Sequence, residues 1–183
     1  NLGRLSEMMG MELFPTYHLK RWVEENRELF NPPFKTNRVL VHDKDFIVMI
    51  LCGPNLRMDF HVEPGDEFFY QIEGEMELHI KPPDERRQEV KIRAGEIFLC
   101  PGGLPHSPRR AAETWGLVIE RKRRPGEVEE FLWFCENCDH QVLSRTVVQG
   151  DIGVQVRQAY EEFNGDRGLR TCSRCGYLFP ETP

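Results

Sequence analysis

The chain has 183 residues, 39% of them hydrophobic and 30% charged, a composition typical of one globular domain. A chain of this length can bury a stable core without cross-links. Its net charge of −6 argues against a general affinity for nucleic acid, which requires a positive surface. No apolar run reaches the roughly 18 residues of a membrane helix, and no signal-peptide pattern stands at the N-terminus, so we predict a cytoplasmic protein that binds neither membranes nor nucleic acid.

The first predicted element is an amphipathic helix over residues 19–30. It ends before Pro32 and Pro33, because proline lacks the N–H that a helix needs and disfavours helix in the residue before it. Short β-rich runs follow, separated mostly by Gly, Pro or Asp. They are Arg38–Val41, Asp45–Cys52, Arg57–Val62, Glu67–Ile72, Glu75–Ile80, Glu89–Ile92, Glu96–Cys100 and Gly116–Arg121. Such a series predicts an all-β sandwich or barrel, and the polar–apolar alternation of residues 75–80 predicts a half-buried strand.

The chain beyond residue 121 begins with a basic run, Arg121–Pro125, which is typical of a solvated strand end or linker. Two further strands and a helix are predicted over residues 131–134, 142–148 and 151–163. Asp151 is the candidate N-cap of that helix. We therefore predict a first domain over residues 12–130 and a C-terminal extension over residues 131–183 that packs on the same domain.

Four of the six cysteines form two Cys-x-x-Cys pairs, Cys135 with Cys138 and Cys172 with Cys175. In a chain without an export signal, such pairs bind metal more often than they form disulfides. Four thiolates suit a tetrahedral zinc ion or a single iron ion, although the 33 residues between the pairs exceed the spacing of a compact zinc ribbon.

The role of this four-cysteine site has two interpretations. Closed tetrahedral sites are usually structural, so we predict that the metal pins the C-terminal segment. Electron delivery to a second metal is the alternative. The two remaining cysteines, Cys52 and Cys100, each end an apolar run and are predicted to be buried small hydrophobes.

A second group of candidate ligands lies in the middle of the chain. His61 and Glu67 flank a Pro-Gly turn signal, and His106 follows the predicted strand Glu96–Cys100. The turn would bring His61 and Glu67 into one cavity, although the neighbouring Asp66 is another carboxylate. Two histidines and one carboxylate with open coordination positions form the facial triad of non-haem Fe(II) oxygenases.

The two segments that carry these ligands resemble the two motifs of the cupin superfamily. The matching positions are Gly53, His61, Glu67 and Gly74 in the first and Gly95, Pro101, Gly103 and His106 in the second. Asp59 stands where many cupins carry a further histidine, and Arg110 replaces a terminal asparagine. The resemblance implies a double-stranded β-helix, or jelly-roll barrel, with a few peripheral helices.

Four stretches carry a closer resemblance to one family within the cupin superfamily. They are Arg57-x-Asp59-Phe60-His61, Glu67–Gln71, Pro105-His106-Ser107-Pro108-x-Arg110 and Val118–Arg121. In this order and spacing they resemble the 3-hydroxyanthranilate 3,4-dioxygenase family, and the likeness runs from the first helix to the last Cys-x-x-Cys pair. It implies that Fe(II) and O2 cleave the ring of 3-hydroxyanthranilate to 2-amino-3-carboxymuconate semialdehyde, a quinolinate and NAD precursor in tryptophan breakdown. It also implies a homodimer and a rubredoxin-like site for a second iron or zinc.

The needs of this reaction suggest roles for further residues. Arg110 is predicted to clamp the substrate carboxylate, because a guanidinium offers a planar two-pronged fork. Arg57 faces the same cavity by period-two alternation and is predicted to stabilise O2 or an intermediate. Glu120 ends an apolar run and is the predicted general base. Asn37 matches a family position near the substrate, whereas Arg109 stands where the family usually carries glutamine.

Two other classes of protein compete with this interpretation. One is a different cupin enzyme, such as a thiol or diketone dioxygenase or an isomerase, most of which would lack two arginines combined with Glu120. The other is a non-catalytic zinc-binding interaction module, which would explain the Cys-x-x-Cys pairs but leaves the two cupin motifs without a purpose.

Overall fold

The computed structural model describes residues 15–30, 37–42, 45–55, 57–148 and 152–181, without the side chains of residues 152 and 153. The chain divides into two compact units, residues 1–35 and residues 36–183. In the first unit α1 (Leu19–Asn26) continues into a 3-10 turn (Arg27–Phe30), so the predicted helix is confirmed with a tighter last turn. Its predicted stop at the two prolines lies outside the described residues.

The described part of the second unit contains eleven strands and one helix, α2 (Ile152–Gly165). The strands are β1 (Asn37–His42), β2 (Phe46–Cys52), β3 (Asp59–Val62), β4 (Glu67–Glu73), β5 (Glu75–Ile80), β6 (Gln88–Arg93), β7 (Ile97–Cys100), β8 (His106–Arg110), β9 (Trp115–Arg121), β10 (Glu129–Phe134) and β11 (Gln141–Val147). Every predicted strand is confirmed, but β8 was missed. Its Pro108 argues against a strand, because proline cannot donate to the ladder.

The strands form two antiparallel sheets that together make a barrel. The five-stranded sheet has the order β1-β2-β9-β4-β7, and the six-stranded sheet has the order β11-β10-β3-β8-β5-β6. Strands β2 and β4 belong to the five-stranded sheet, whereas β3 and β5 belong to the six-stranded sheet. The chain therefore alternates between the two sheets from β2 to β5, and this winds the sheets together. This is the double-stranded β-helix of the cupins, and it confirms the predicted all-β fold.

The core lies between the two sheets. It contains Phe69, Met76, Leu78, Ile80, Ile92, Cys100 and Val118, which come from both sheets. The alternation predicted for β5 is confirmed, because its apolar residues are buried and its polar residues are only partly covered. Cys52 and Cys100 are buried as predicted. A close-packed interior of this kind holds the inward-facing polar side chains in fixed places.

The C-terminal extension is continuous with the barrel. β10 pairs with β3 and β11 pairs with β10, so the extension lengthens the six-stranded sheet. The predicted boundary between residues 130 and 131 falls inside β10. The predicted second helix is confirmed as α2, while its candidate cap Asp151 lies outside the described residues. Neither helix in the described ranges has the length and apolar character needed to cross a bilayer.

Candidate active site and metal centres

The sheet register brings the three predicted ligands together. His61 lies on β3 and is the cross-strand partner of His106, the first residue of β8. Glu67 begins β4, directly after the turn that follows β3. All three side chains are buried, and their ligand atoms lie within 4.8 Å of one another.

The turn between β3 and β4 is fixed by the loop that precedes β8. The backbone N–H of Gly102 donates to Asp66 Oδ1 at 2.8 Å, and that of Gly103 donates to the Glu63 carbonyl oxygen at 2.7 Å. A Cβ at Gly102 would lie 2.7 Å from the carbonyl oxygen of Pro64, so glycine is required for this close approach. Asp66, the alternative carboxylate of the sequence, is exposed and serves the turn.

The hydrogen bonds of His106 leave one ring nitrogen for a metal. Its Nδ1 lies 2.9 Å from the Leu104 carbonyl oxygen. Because a carbonyl oxygen can only accept, Nδ1 carries a proton in either protonation state of the ring, and Nε2 is the nitrogen that a neutral ring offers to a metal. That Nε2 lies 2.5 Å from Glu67 Oε2.

The donor set fits a divalent transition metal. Glu67 Oε2 is buried and makes no hydrogen bond of normal geometry with a described residue. Burial opposes the charged form of Glu67, but the contact with His106 and its charge outweigh burial and hold the pKa of this carboxyl well below its usual range. Two imidazoles and one such carboxylate correspond to a facial triad.

Three further carboxylates lie beside the triad, and of these the sequence analysis singled out only Glu120. Glu63, Glu120 and Glu129 are buried, and each lies 2.5 Å from a different nitrogen of Arg123. Glu129 Oε2 also lies 2.6 Å from Nε2 of His61. One guanidinium among three carboxylates offsets the repulsion that these buried charges would otherwise exert on one another.

Arg123 therefore corrects the interpretation of the basic run. Its side chain is only 16% exposed, whereas its neighbour Arg124 is exposed, so the run is solvated only in part. Glu129 could have predicted a buried charge pair from the sequence, because a carboxylate at the start of the apolar strand β10 needs a buried partner.

Arg110 is a buried cation without a counter-charge among the described residues. It is 3% exposed, and its Nη1 donates to Gln71 Oε1 at 3.0 Å. Its Nε makes no hydrogen bond, and no described carboxylate pairs with it. Burial lowers the pKa of Arg110 to about 10, opposed only by the nearby Cys52. A guanidinium kept in this state is ready for an anion that the protein itself does not supply.

Arg57 has an internal partner. Its Nε lies 3.0 Å from both oxygens of Asp59, and its Nη2 lies 2.7 Å from Asp59 Oδ2. Its Cζ lies 5.8 Å from the ring centroid of Phe131, and the same ring stacks on His61 at 4.8 Å. Arg57 is thus beside the triad, on the face that period-two alternation predicts.

Two other residues were singled out from the sequence, Arg109 and Asn37. Arg109 points to the opposite face of β8 from Arg110, and its Nη2 pairs with Glu136 at 2.7 Å. Glu136 belongs to the first Cys-x-x-Cys turn and also pairs with Arg87 at 2.9 Å. Asn37 is exposed at the start of β1, so its assignment to the substrate stays a prediction.

The four-cysteine group forms a second candidate metal centre. Its four sulfur atoms lie within 4.8 Å of one another, with Cys135 3.5 Å from Cys175 and Cys138 3.6 Å from Cys172. Each Cys-x-x-Cys pair forms a tight turn whose first carbonyl oxygen accepts from a backbone N–H four residues on. Strand β11 and helix α2 occupy the long interval between the pairs, and the first pair lies in the turn that joins β10 to β11. The geometry suits one tetrahedral ion.

Loss of this second centre should lower stability first. Cys172→Ser removes one of four ligands, and a structural ion contributes its binding free energy to folding. We expect the variant to lose the second metal and to melt at a lower temperature by calorimetry. Folded Cys172→Ser protein, once loaded with Fe(II), should still turn over substrate. An inactive variant that is folded and loaded would instead indicate electron transfer or another catalytic role.

Two antiparallel sheets wound into one barrel, with a His-Glu-His set between them, define a metal-binding enzyme of the cupin class. A family model described as 3-hydroxyanthranilic acid dioxygenase matches residues 11–164, and the chain belongs to this family.

Relatives named 3-hydroxyanthranilate 3,4-dioxygenase support the family. The one from Bacillus cereus is 46% identical over 91% of this chain and 92% of its own length. Those from Xanthomonas euvesicatoria and Neurospora crassa are 42% and 41% identical and cover 92% and 91% of this chain, and 94% and 91% of their own. A solved cupin-2 domain containing protein from Shewanella frigidimarina is 23% identical, with a TM-score of 0.45 over 54% of this chain and 91% of that chain.

Proposed function

We propose that the protein is an Fe(II)-dependent ring-cleaving dioxygenase that converts 3-hydroxyanthranilate and O2 to 2-amino-3-carboxymuconate semialdehyde. The family and the named relatives support this reaction. The structural observation that carries it is Arg110, a buried guanidinium that faces the same barrel interior as His106 and has no carboxylate partner among the described residues. The substrate carries a carboxylate that would complete this pair.

His61, Glu67 and His106 would hold the iron. When bound there, Fe(II) supplies open coordination positions for the hydroxyl and amine of the substrate and for O2. Both oxygen atoms enter the product, so the reaction needs no external reductant. The second centre, formed by Cys135, Cys138, Cys172 and Cys175, would hold iron or zinc as a structural ion.

The remaining side chains would orient and deprotonate the substrate. Arg110 would exchange its bond with Gln71 for a two-pronged contact with the carboxylate. Arg57, held by Asp59 beside the triad, would stabilise O2 or an intermediate through nitrogens that Asp59 does not occupy. Glu120 would accept the proton of the substrate hydroxyl.

The pH dependence should report Glu120. Burial raises its pKa to about 7, although Arg123 acts against this. A general base must be unprotonated, so kcat/KM should fall as the pH drops through about 7 and level off above it. Glu120→Gln should be slow at all pH values and should lose this limb of the profile. If the limb persists in Glu120→Gln, the titrating base is another group.

The overall proposal is tested by O2 uptake. Protein loaded with Fe(II) should consume one O2 per 3-hydroxyanthranilate and form the semialdehyde, followed by its absorbance and by mass spectrometry. A different cupin dioxygenase would consume O2 with another substrate only, and a zinc-binding interaction module would consume none.

We further propose that the protein is a cytoplasmic homodimer without nucleic-acid or membrane partners. The outer face of the five-stranded sheet exposes apolar side chains, including Phe46, Ile97 and Leu99, which a second copy would cover. Light scattering after size-exclusion chromatography should give twice the chain mass, and Leu99→Lys should shift it toward the monomer.

A further inference from the structure

Tyr160 connects the C-terminal extension to the candidate active site. It lies on α2, and its hydroxyl donates to Oδ1 of Asp59. Asp59 is fully buried, and both of its oxygens accept from the guanidinium of Arg57 at 2.7–3.0 Å. A chain of two contacts therefore runs from the last helix of the protein to an arginine beside the triad.

Asp59 holds Arg57 from one side. The contacts use Nε and Nη2 of the guanidinium, and within the described part of the chain Nη1 has no hydrogen-bond acceptor. The N–H groups of Nη1 thus remain for an oxygen atom of the substrate or of O2. The direction of these N–H groups depends on the orientation of Asp59, because a guanidinium and a carboxylate that share two hydrogen bonds move together.

The orientation of Asp59 depends on α2. Its carboxylate is two bonds from the backbone of β3, and the hydroxyl of Tyr160 is the contact that fixes Oδ1 from outside the pair. The Tyr160 ring packs edge-on against Trp133 at 5.4 Å, and Trp133 is the cross-strand partner of Asp59. Tyr160 is therefore placed by the same sheet that carries the ion pair.

The four-cysteine centre supports this placement. Cys135 and Cys172 share one buried apolar cluster with Phe163 of α2 and with Phe179, which follows the second Cys-x-x-Cys pair. The rings of the two phenylalanines pack edge-on at 5.4 Å. The four-cysteine segment thus covers α2 and holds the helix against the sheet.

We propose that Tyr160 is a positioning residue for ring cleavage, which fixes Asp59 and through it the guanidinium of Arg57. This inference rests on the proposed function. It gives the C-terminal extension a part in catalysis without any electron transfer. A displacement of about 1 Å in a group that supports a reacting residue is enough to slow the reaction at a well-oriented site.

The first test removes one hydroxyl. Tyr160→Phe keeps the ring packing on Trp133 and should lower kcat/KM for 3-hydroxyanthranilate about tenfold, while both metals and the melting temperature stay close to wild type. Tyr177→Phe is the matched control, because Tyr177 packs on Phe179 in the same cluster without a contact to Asp59. It should leave kcat/KM unchanged.

A double-mutant cycle separates positioning from a general structural effect. In an Arg57→Ala background, Tyr160→Phe should cost almost nothing further, because the residue that it positions is gone. If Tyr160→Phe has wild-type activity, or if its loss simply adds to that of Arg57→Ala, the proposal is overturned.

The outcome also distinguishes this inference from the proposed function. If wild-type protein loaded with Fe(II) does not cleave 3-hydroxyanthranilate, the proposed function fails and the role of Tyr160 in ring cleavage is overturned with it. If wild type is active and the cycle is additive, the function stands and only the role of Tyr160 is wrong.

Discussion

Replacing His61, Glu67 or His106 by alanine should abolish ring cleavage, because each change removes one of three metal ligands. The facial triad has no spare protein ligand, so two remaining groups bind Fe(II) far more weakly. The four-cysteine centre is built from other residues and should keep its ion. Metal analysis should therefore give about one metal per chain instead of about two, given the two independent sites.

His79→Ala is the matched control for the triad. His79 also lies within ligand distance of two carboxylates, Glu77 and Glu89, but this group is only partly buried on the barrel surface. Its replacement should change neither the metal content nor the activity. Full activity in any triad variant would contradict the assignment of that ligand.

Arg110→Ala should lower kcat/KM severely and leave the catalytic metal bound. Losing a charge-assisted, two-pronged contact in a buried site costs on the order of 2–4 kcal/mol. This corresponds to roughly a 30- to 1000-fold loss in kcat/KM. Arg110→Lys should recover only part of the activity, because a point charge cannot reproduce the planar fork.

The decisive comparison for Arg110 uses 2-aminophenol, which keeps the hydroxyl and amine but lacks the carboxylate. Wild type should handle this compound poorly, and Arg110→Ala should make it little worse. Arg109→Gln is the matched control, since Arg109 lies on the other face of β8 and pairs with Glu136. Equal harm to both compounds would mean that Arg110 acts on O2 or on the fold, and Arg57 would be the next candidate for the clamp.

The local sequence was sufficient for most elements and for the two groups of candidate metal ligands. Strand periodicity and turn residues are short-range properties, so the β-runs could be located without a structure. The ligands were recognisable because histidine and glutamate stand at fixed distances from glycines that shape the turns, as at Gly102. Two Cys-x-x-Cys pairs likewise predict a shared ion from their spacing alone.

Strand β8 shows where local reasoning fails. Pro108 has no N–H for the ladder, and such a residue argues against a strand in the segment that links His106 to Arg110. The tertiary structure overrides this preference, because Pro108 pairs with Leu78 inside the six-stranded sheet. Without that strand, the sequence could not place Arg110 on the same face of the barrel as His106.

The sequence by itself determined the all-β fold and the two groups of candidate metal ligands, because each depends on residue type and short spacing. The partners of buried charges were decided only by tertiary structure. Arg123 gathers Glu63 and Glu129, and Tyr160 reaches Asp59 across about a hundred positions of the chain. No local pattern encodes such pairs, since a buried charge needs a partner close in space and places no limit on its distance along the chain.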